Sequence, residues 1–330
     1  MSAIGAANAV AHGPVAARSG LALAFDIGGT KVAAGVVDRS GTVHAFVVQP
    51  TRPAEGPERV LARLFELGRT AVDGSGTAWA ELACVGIGCG GPLDAEHGVL
   101  LAPPHLPGWH DVPVTELAEQ AFGLPVALEN DATAAAAGEH RYGAGSGTRH
   151  MVYLTISTGV GGGIVIDGRL YRGATGNGGE LGHVTVDCVG RLCRGCGRRG
   201  CLEAYVSGTS IMERAHEAGL EGATAADVAA AARAGDPVAS EVWDETTNFL
   251  ACGLTSIVNL FEPELVVVGG GVSRSGEQLL GPVREGVRAH AMGSAGRAAN
   301  IVLSALGDQV GVIGAAAIAF DRVGSGRPAA

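Results

Sequence analysis

A chain of 330 residues, 47% apolar and 17% charged, is long enough for two domains or one large one and apolar enough for a sizeable core, so wholesale disorder is excluded. Its net charge of −10 at pH 7 argues against a broad nucleic-acid surface, which needs a basic face. No apolar run approaches the roughly 18–20 residues of a membrane span, and the 54 glycines follow no Gly-X-Y period, which rules out collagen.

Residues 1–20, "MSAIGAANAVAHGPVAARSG", are small and weakly patterned. They read as a mobile leader without the basic region and apolar stretch of a signal peptide. A cytoplasmic location follows, where disulfides are not expected, so the seven cysteines need another role. Leu21–Phe25 and Val32–Val37 read as strands joined by a glycine pair in a hairpin, and Thr42–Gln49 as a third strand. Glu58–Val72 has helical spacing of Val60, Leu61, Leu64, Leu67 and Ala71. Leu82–Cys89 is a buried strand ending in Gly90-Gly91-Pro92. Val114–Ala121 is helical, Pro125–Leu128 is a short strand, and a helix runs through "ATAAAAGEHR".

Gly143–Gly147 marks a boundary. Beyond it, Met151–Ile156 and Gly163–Ile166 form strands around a second glycine run, and a Cys/Arg/Gly-rich insert fills 187–201. Two long helical stretches follow, at 209–236 and 237–260. Leu265–Val268 is a strand ending in three glycines. A helix at 276–291, a strand at Ile301–Ser304 and a closing helix at Val310–Phe320 complete the chain. The strand hairpin near 21 recurs near 151, which suggests two related α/β halves with a cleft between them.

The first glycine run, "DIGGTK" over Asp26–Lys31, is followed by a strand, so it is neither a Walker A loop nor a dinucleotide fingerprint, both of which open a helix. Its chemistry still suits a phosphate. Backbone N–H groups of Gly28 and Gly29 can approach an anion closely, Thr30 adds a hydroxyl, Lys31 a charge, and Asp26 can orient hydrated magnesium. A plain hairpin turn with an incidental lysine accounts for the same residues. In the second run, "TISTGVGGG", Ser157, Thr158 and Gly159 could donate to phosphates opposite the first loop; alone it is equally a glycine-rich hairpin. In the third, Gly269, Gly270 and Gly271 could lie against a flat adenine, or simply end a strand.

The segments "FDIGGTK", "GCGGPLD", "LPGW", "LENDATAAAAGE", "STGVGGG", "GELGH", "CGRRGCLEAYVSG" and "VVVGGGVS", in this order, resemble the ROK family of sugar kinases. The resemblance runs from Leu21 to Phe320 and implies the two-domain actin-like, ribonuclease-H-like (ASKHA) fold. It places one domain at 21–130 plus 306–330 and a larger one at 131–305, with a zinc-binding insert at 183–203. It implies that the first loop, with Gly161 and the other glycine runs, binds ATP with Mg2+. Asp131 of "LEND" would be the catalytic base that accepts the proton of a sugar hydroxyl; otherwise it is an ordinary helix cap. Gly91, Asn130, Asp131, Glu180, His183 and Glu203 would contact the sugar. A hexose and ATP would be the small-molecule partners, with no nucleic acid and no membrane, in a homo-oligomer, dimer or tetramer.

Four cysteines, Cys188, Cys193, Cys196 and Cys201, crowd one insert beside His183. Thiolates with a nearby histidine make a closed tetrahedral zinc site, and Arg191, Arg194, Arg198 and Arg199 would ease metallation; free or redox-active thiols are the other reading. The family pattern is a histidine followed by C-x-C-G-x-x-G-C, whereas Cys193-Arg194-Gly195-Cys196 carries one extra residue. The expected ligands are His183, Cys193, Cys196 and Cys201, with Cys188 as a substitute for Cys193, and the metal is structural. The chain also has His105 where many members have a sugar-binding Asn in P-N-L-P-G-W. His105 can still hydrogen-bond a sugar, can reshape the pocket, or can be a loop residue without a role. Glucose is the expected acceptor. Kinases of N-acetylmannosamine, N-acetylglucosamine, fructose or allose stand as alternatives, and so does a sugar-responsive regulator, although only about twenty residues precede the first strand, too few for a winged-helix domain.

Overall fold

A computed structural model describes residues 20–324. The expected leader falls outside them, Gly20 apart. The elements are β1 (Leu21–Ile27), β2 (Lys31–Asp38), β3 (Val43–Pro50), α1 (Pro57–Ser75), β4 (Leu82–Cys89), β5 (Leu93–Asp94), β6 (Val99–Leu100), α2 (Val114–Phe122), β7 (Val126–Asn130) and α3 (Asp131–Tyr142). The second half contains β8 (Met151–Ile156), β9 (Val160–Ile166), β10 (Arg169–Leu170), α4 (Glu203–Val206), α5 (Gly208–Glu217), α6 (Ala225–Arg233), α7 (Pro237–Phe261), β11 (Leu265–Gly269), α8 (Glu277–His290), α9 (Ala295–Ala298), β12 (Asn300–Leu303) and α10 (Val310–Gly324).

Among the described residues the strands form two five-stranded sheets, β3-β2-β1-β4-β7 and β10-β9-β8-β11-β12, besides the small β5-β6 ribbon. Each large sheet repeats one plan. A central strand pairs antiparallel with the next strand in sequence and parallel with a later one, β1 with β2 and β4, β8 with β9 and β11. The recurrence of the hairpin in the sequence is thus a recurrence of sheet topology, and the fold is the expected two-domain actin-like, ribonuclease-H-like one.

The first sheet packs apolar side chains such as Phe25, Ile87 and Leu128 against α1 and α2, with Leu64 and Val114 at 0% exposure. The second builds a separate core with α4–α8, around Leu154, Val268, Leu254 and Val283. Helix α3 lies between. From Ala132 to Glu139 it is buried all round, which explains why its run of alanines shows little amphipathic pattern. Small residues let its neighbours approach: a Cβ on Gly314 of α10 would lie 2.1 Å from the Ala134 carbonyl oxygen, and one on Gly163 of β9 would lie 2.4 Å from Ala136 Cβ.

One expected element is corrected. The helical stretch 209–236 is two helices, α5 and α6. Gly219 and Gly222 between them adopt φ of +94° and +73°, where residues with a Cβ are strained. Thr224 then starts α6 in a capping box with Asp227. Helical periodicity survives such a break because both pieces bury an apolar stripe on the same core.

Candidate functional site

The C-terminal ends of β1, β4 and β7 lie side by side, with Asp26 opposite Gly88 and Cys89 opposite Asn130. Two carboxylates therefore meet at one edge of the first sheet. Asp26 sits against α10, where a Cβ on Gly311 would be 2.3 Å from its Oδ2. Burial, and then the neighbouring Asp131, push its pKa up to about 7, and only Lys31 opposes them. Asp131 begins α3. It is not the helix cap: Asn130 is, its Oδ1 accepting from the N–H groups of Ala132 at 3.0 Å and Thr133 at 3.1 Å. Asp131 Oδ1 accepts from its neighbour Ala132 N–H at 2.8 Å, and burial holds the carboxyl above its ordinary value, against the pull of that bond and of His105.

The β1–β2 hairpin overhangs Asp26. Its turn closes through Gly28 N–H to the Lys31 carbonyl, and Thr30 and Lys31 stand exposed. Fully buried Thr51, which no local pattern singles out, donates its hydroxyl to the Gly28 carbonyl at 2.5 Å and its N–H to the Thr30 carbonyl at 3.0 Å. His105 wedges beside this turn. A Cβ on Gly29 would lie 2.9 Å from His105 Cβ, and one on Gly90 would lie 2.6 Å from its Cε1. Both glycines are there because the histidine occupies the space. His105 faces Asp131, and burial lowers its pKa, so it is neutral near pH 7.

Beside Asp131 a small cavity of about 40 Å³ is lined by Gly91, Asn130, Asp131, Gly161, Gly162, the 176–179 loop and Glu180. Glu180 is half-buried there, and its pKa is raised by burial, with His183 opposing. Gly161 lines this cavity and packs on α3 (a Cβ would meet Ala132 Cβ at 2.7 Å), and it does not line the larger cavity described next.

A second cavity of about 570 Å³ opens in the other half of the molecule. Ser157, Thr158 and Gly271 line it, together with Met212, Ala229 and Arg233, which sequence reasoning missed. The missing signal was the α5–α6 break, since these two helices form the wall. Thr209 Oγ1 donates to the Thr158 carbonyl at 2.9 Å and Gly208 N–H to the Ser157 carbonyl at 2.7 Å, so α5 holds the β8–β9 turn against the cavity. Of the third glycine run only Gly271 lines it. Gly269 ends β11 with Tyr153 Oη 2.6 Å from where its Cβ would be, and Gly270 makes the turn at φ +87°.

The insert brings His183, Cys193, Cys196 and Cys201 together, one donor atom from each within 4.8 Å of all the others. Cys196 and Cys201 sulfurs are 3.5 Å apart, and Cys193 Sγ is 3.7 Å from His183 Nδ1. A tetrahedral zinc with bonds of about 2.3 Å needs sulfurs about 3.8 Å apart, so the donor set fits. Cys188 is exposed and outside the group. The other ring nitrogen, His183 Nε2, is 3.9 Å from Glu180 Oε2. Glu203 does not line the small cavity. Its Oε2 accepts from Val160 N–H at 2.9 Å, beside Gly159, and its Oε1 accepts from Cys193 Sγ at 3.2 Å.

The model of the ROK family matches residues 22–322. The chain is 39% identical over 316 residues to a glucokinase of Thermotoga maritima, an alignment covering 92% of this chain and 98% of that one. Among solved structures it is similar to a ROK hexokinase from Thermus thermophilus (38% identity, TM-score 0.79, 93% of this chain and all of that one). It is also similar to a ROK family glucokinase from Streptomyces griseus in complex with glucose and AMPPNP (36%, TM-score 0.78, 92% and 100%).

Proposed function

We propose that this chain, which belongs to the ROK family, transfers the terminal phosphoryl group of ATP to glucose, giving glucose 6-phosphate and ADP. The observation that carries the reading is the pair of raised carboxyls, Asp26 under the hairpin and Asp131 beside the small cavity, at the ends of β1 and β7 on either side of β4. One suits the donor and the other the acceptor.

In this reading Asp131 is the general base. With Oδ1 held by Ala132 N–H, Oδ2 takes the proton of the 6-hydroxyl as the hydroxyl oxygen attacks the γ-phosphorus and ADP departs. Asn130, Gly91, Glu180, His183 and His105 hold and orient the sugar, and Glu203 supports them through the β9 turn. The adenosine occupies the 570 Å³ cavity, with Ser157, Thr158, Gly159 and Gly271 on one side and Gly28, Gly29, Thr30 and Lys31 closing on the phosphates. Two crowded carboxyls above their ordinary pKa are a place where a cation is welcome, so Asp26 would hold hydrated Mg2+, which supplies charge neutralisation at the phosphates. His183, Cys193, Cys196 and Cys201 would hold a structural Zn2+, fixing the loop of Glu180 to that of Glu203. The lobes are 21–130 plus 306–330, and 131–305, with 325–330 outside the described residues. A cytoplasmic dimer or tetramer belongs to the same reading; among the described residues no helix is long and apolar enough to cross a membrane.

The test is ADP release by purified protein with ATP and Mg2+ over glucose, N-acetylmannosamine, N-acetylglucosamine, fructose and allose. Glucose should give the highest kcat/KM. Another hexose exceeding it by about tenfold, a difference of about 1.4 kcal/mol, would overturn the choice of acceptor.

A further inference from the structure

Glu129, the first residue of "END", is a buried carboxylate to which none of the chemistry above assigns a task. Its side chain is 2% exposed, and among the described residues its one cationic partner is Arg172, whose Nε donates to Oε2 at 2.7 Å from a side chain that is 44% exposed. The other oxygen, Oε1, accepts from Asn130 N–H at 3.1 Å. Glu129 is therefore clamped between the residue that caps α3 and a cation from the other sheet.

Arg172 stands at a particular place. It follows β10 and roots the glycine loop that ends at Glu180. Its carbonyl accepts from Gly178 N–H at 2.8 Å, closing the loop on itself. Gly173, Gly176 and Gly179 in that loop adopt φ of +70°, +82° and +102°, conformations that leave its path to glycine rather than to packed side chains. The loop's inner residues line the small cavity opposite Asn130 and Asp131. The ion pair is the tie that registers the root of this loop against the strand end carrying Asn130 and Asp131.

We propose that Arg172 is a positioning residue for the acceptor sugar: through Glu129 it holds the 173–179 loop in register with Asn130 and Asp131 across the two sheets. The proposal rests on the assignment of the small cavity to the sugar. A half-exposed arginine can be removed with less risk to folding than its buried partner, so the variants start there.

Arg172→Ala should raise the glucose KM about tenfold, the value of one charge-assisted hydrogen bond, and leave the ATP KM within about twofold. Arg172→Lys keeps the charge without the planar donor and should fall between. Arg172→Ala combined with Glu129→Gln should recover part of any Tm lost by the single variant, because the stranded carboxylate is gone. Hydrogen exchange without sugar should be faster at 173–179 in Arg172→Ala and unchanged in β8 and β11. An unchanged glucose KM or unchanged exchange at 173–179 overturns the proposal. So does an equal rise of both KM values with a lowered Tm, the pattern of a merely structural contact. A wild type inactive on every hexose sinks the proposed function alone, and the exchange comparison then still decides for or against the tie.

Discussion

Replacing Asp131 by Asn keeps the size of the side chain and the Ala132 N–H contact, but removes the proton acceptor and one negative charge. Loss of a general base costs about 10²–10⁴-fold in kcat, about 3–5 kcal/mol of barrier. The charge has a second effect that the structure makes measurable. Asp26 titrates at about 7, raised first by burial and then by Asp131. In the wild type both carboxyls work ionised, so kcat/KM should climb with pH through about 7 and then level. In Asp131→Asn the Asp26 pKa should fall, though not to its ordinary 3.8, because the burial remains. The assays are coupled ADP release between pH 5 and 9 for the wild type, and calorimetric binding of glucose and of nucleotide with Mg2+ for the variant. Glucose binding should persist, and the pH midpoint of nucleotide binding should move down. Retention of more than about a tenth of the wild-type rate would refute the general base, and an unmoved midpoint would refute the coupling of the two carboxyls.

Asp26→Asn should stabilise the ligand-free protein at pH 8 while abolishing turnover. The folded pKa of about 7 lies above 3.8, so the carboxyl's favourable contribution is present below about 3.8 and lost as pH rises to 7. The gain, at most about 4 kcal/mol, should show as a higher Tm at pH 8 that vanishes near pH 4; an equal or lower Tm at pH 8 counts against the buried-charge account. Elemental analysis of untagged protein should find about one zinc per chain, retained in Cys188→Ser and lost in Cys193→Ser with a lowered Tm, as the grouping of donors dictates; a fully active, metal-free enzyme sinks the site. His105→Ala should raise the glucose KM up to about tenfold with the ATP KM within about twofold, because the Cβ that supports Gly29 remains. Gly90→Ala, which drives a methyl onto the imidazole, should raise the glucose KM as well, and wild-type kinetics in both would make His105 a bystander.

The sequence by itself determined what short-range physics encodes. Alternation and glycine pairs marked both hairpins, and the repeat of that pattern implied two related sheets. "DIGGTK" and "LEND" located the two carboxylates at strand ends. The family resemblance implied a metal group of His183, Cys193, Cys196 and Cys201, and left Cys188 open as a substitute for Cys193. Tertiary structure decided the rest. Cys193 rather than Cys188 joins the group, the one side chain buried among the other donors and the other exposed. Gly161 and Gly163 let β9 pack closely on α3, a contact that no local pattern in the sequence announces. The wall of the large cavity emerged only when one apparent helix broke into two at Gly219 and Gly222. The pairing of Glu129 with Arg172 bridges 43 residues of sequence and two sheets. Periodicity and turn chemistry report neighbours within a few residues along the chain, whereas close approach of helix to strand and the meeting of distant charges depend on how whole elements pack.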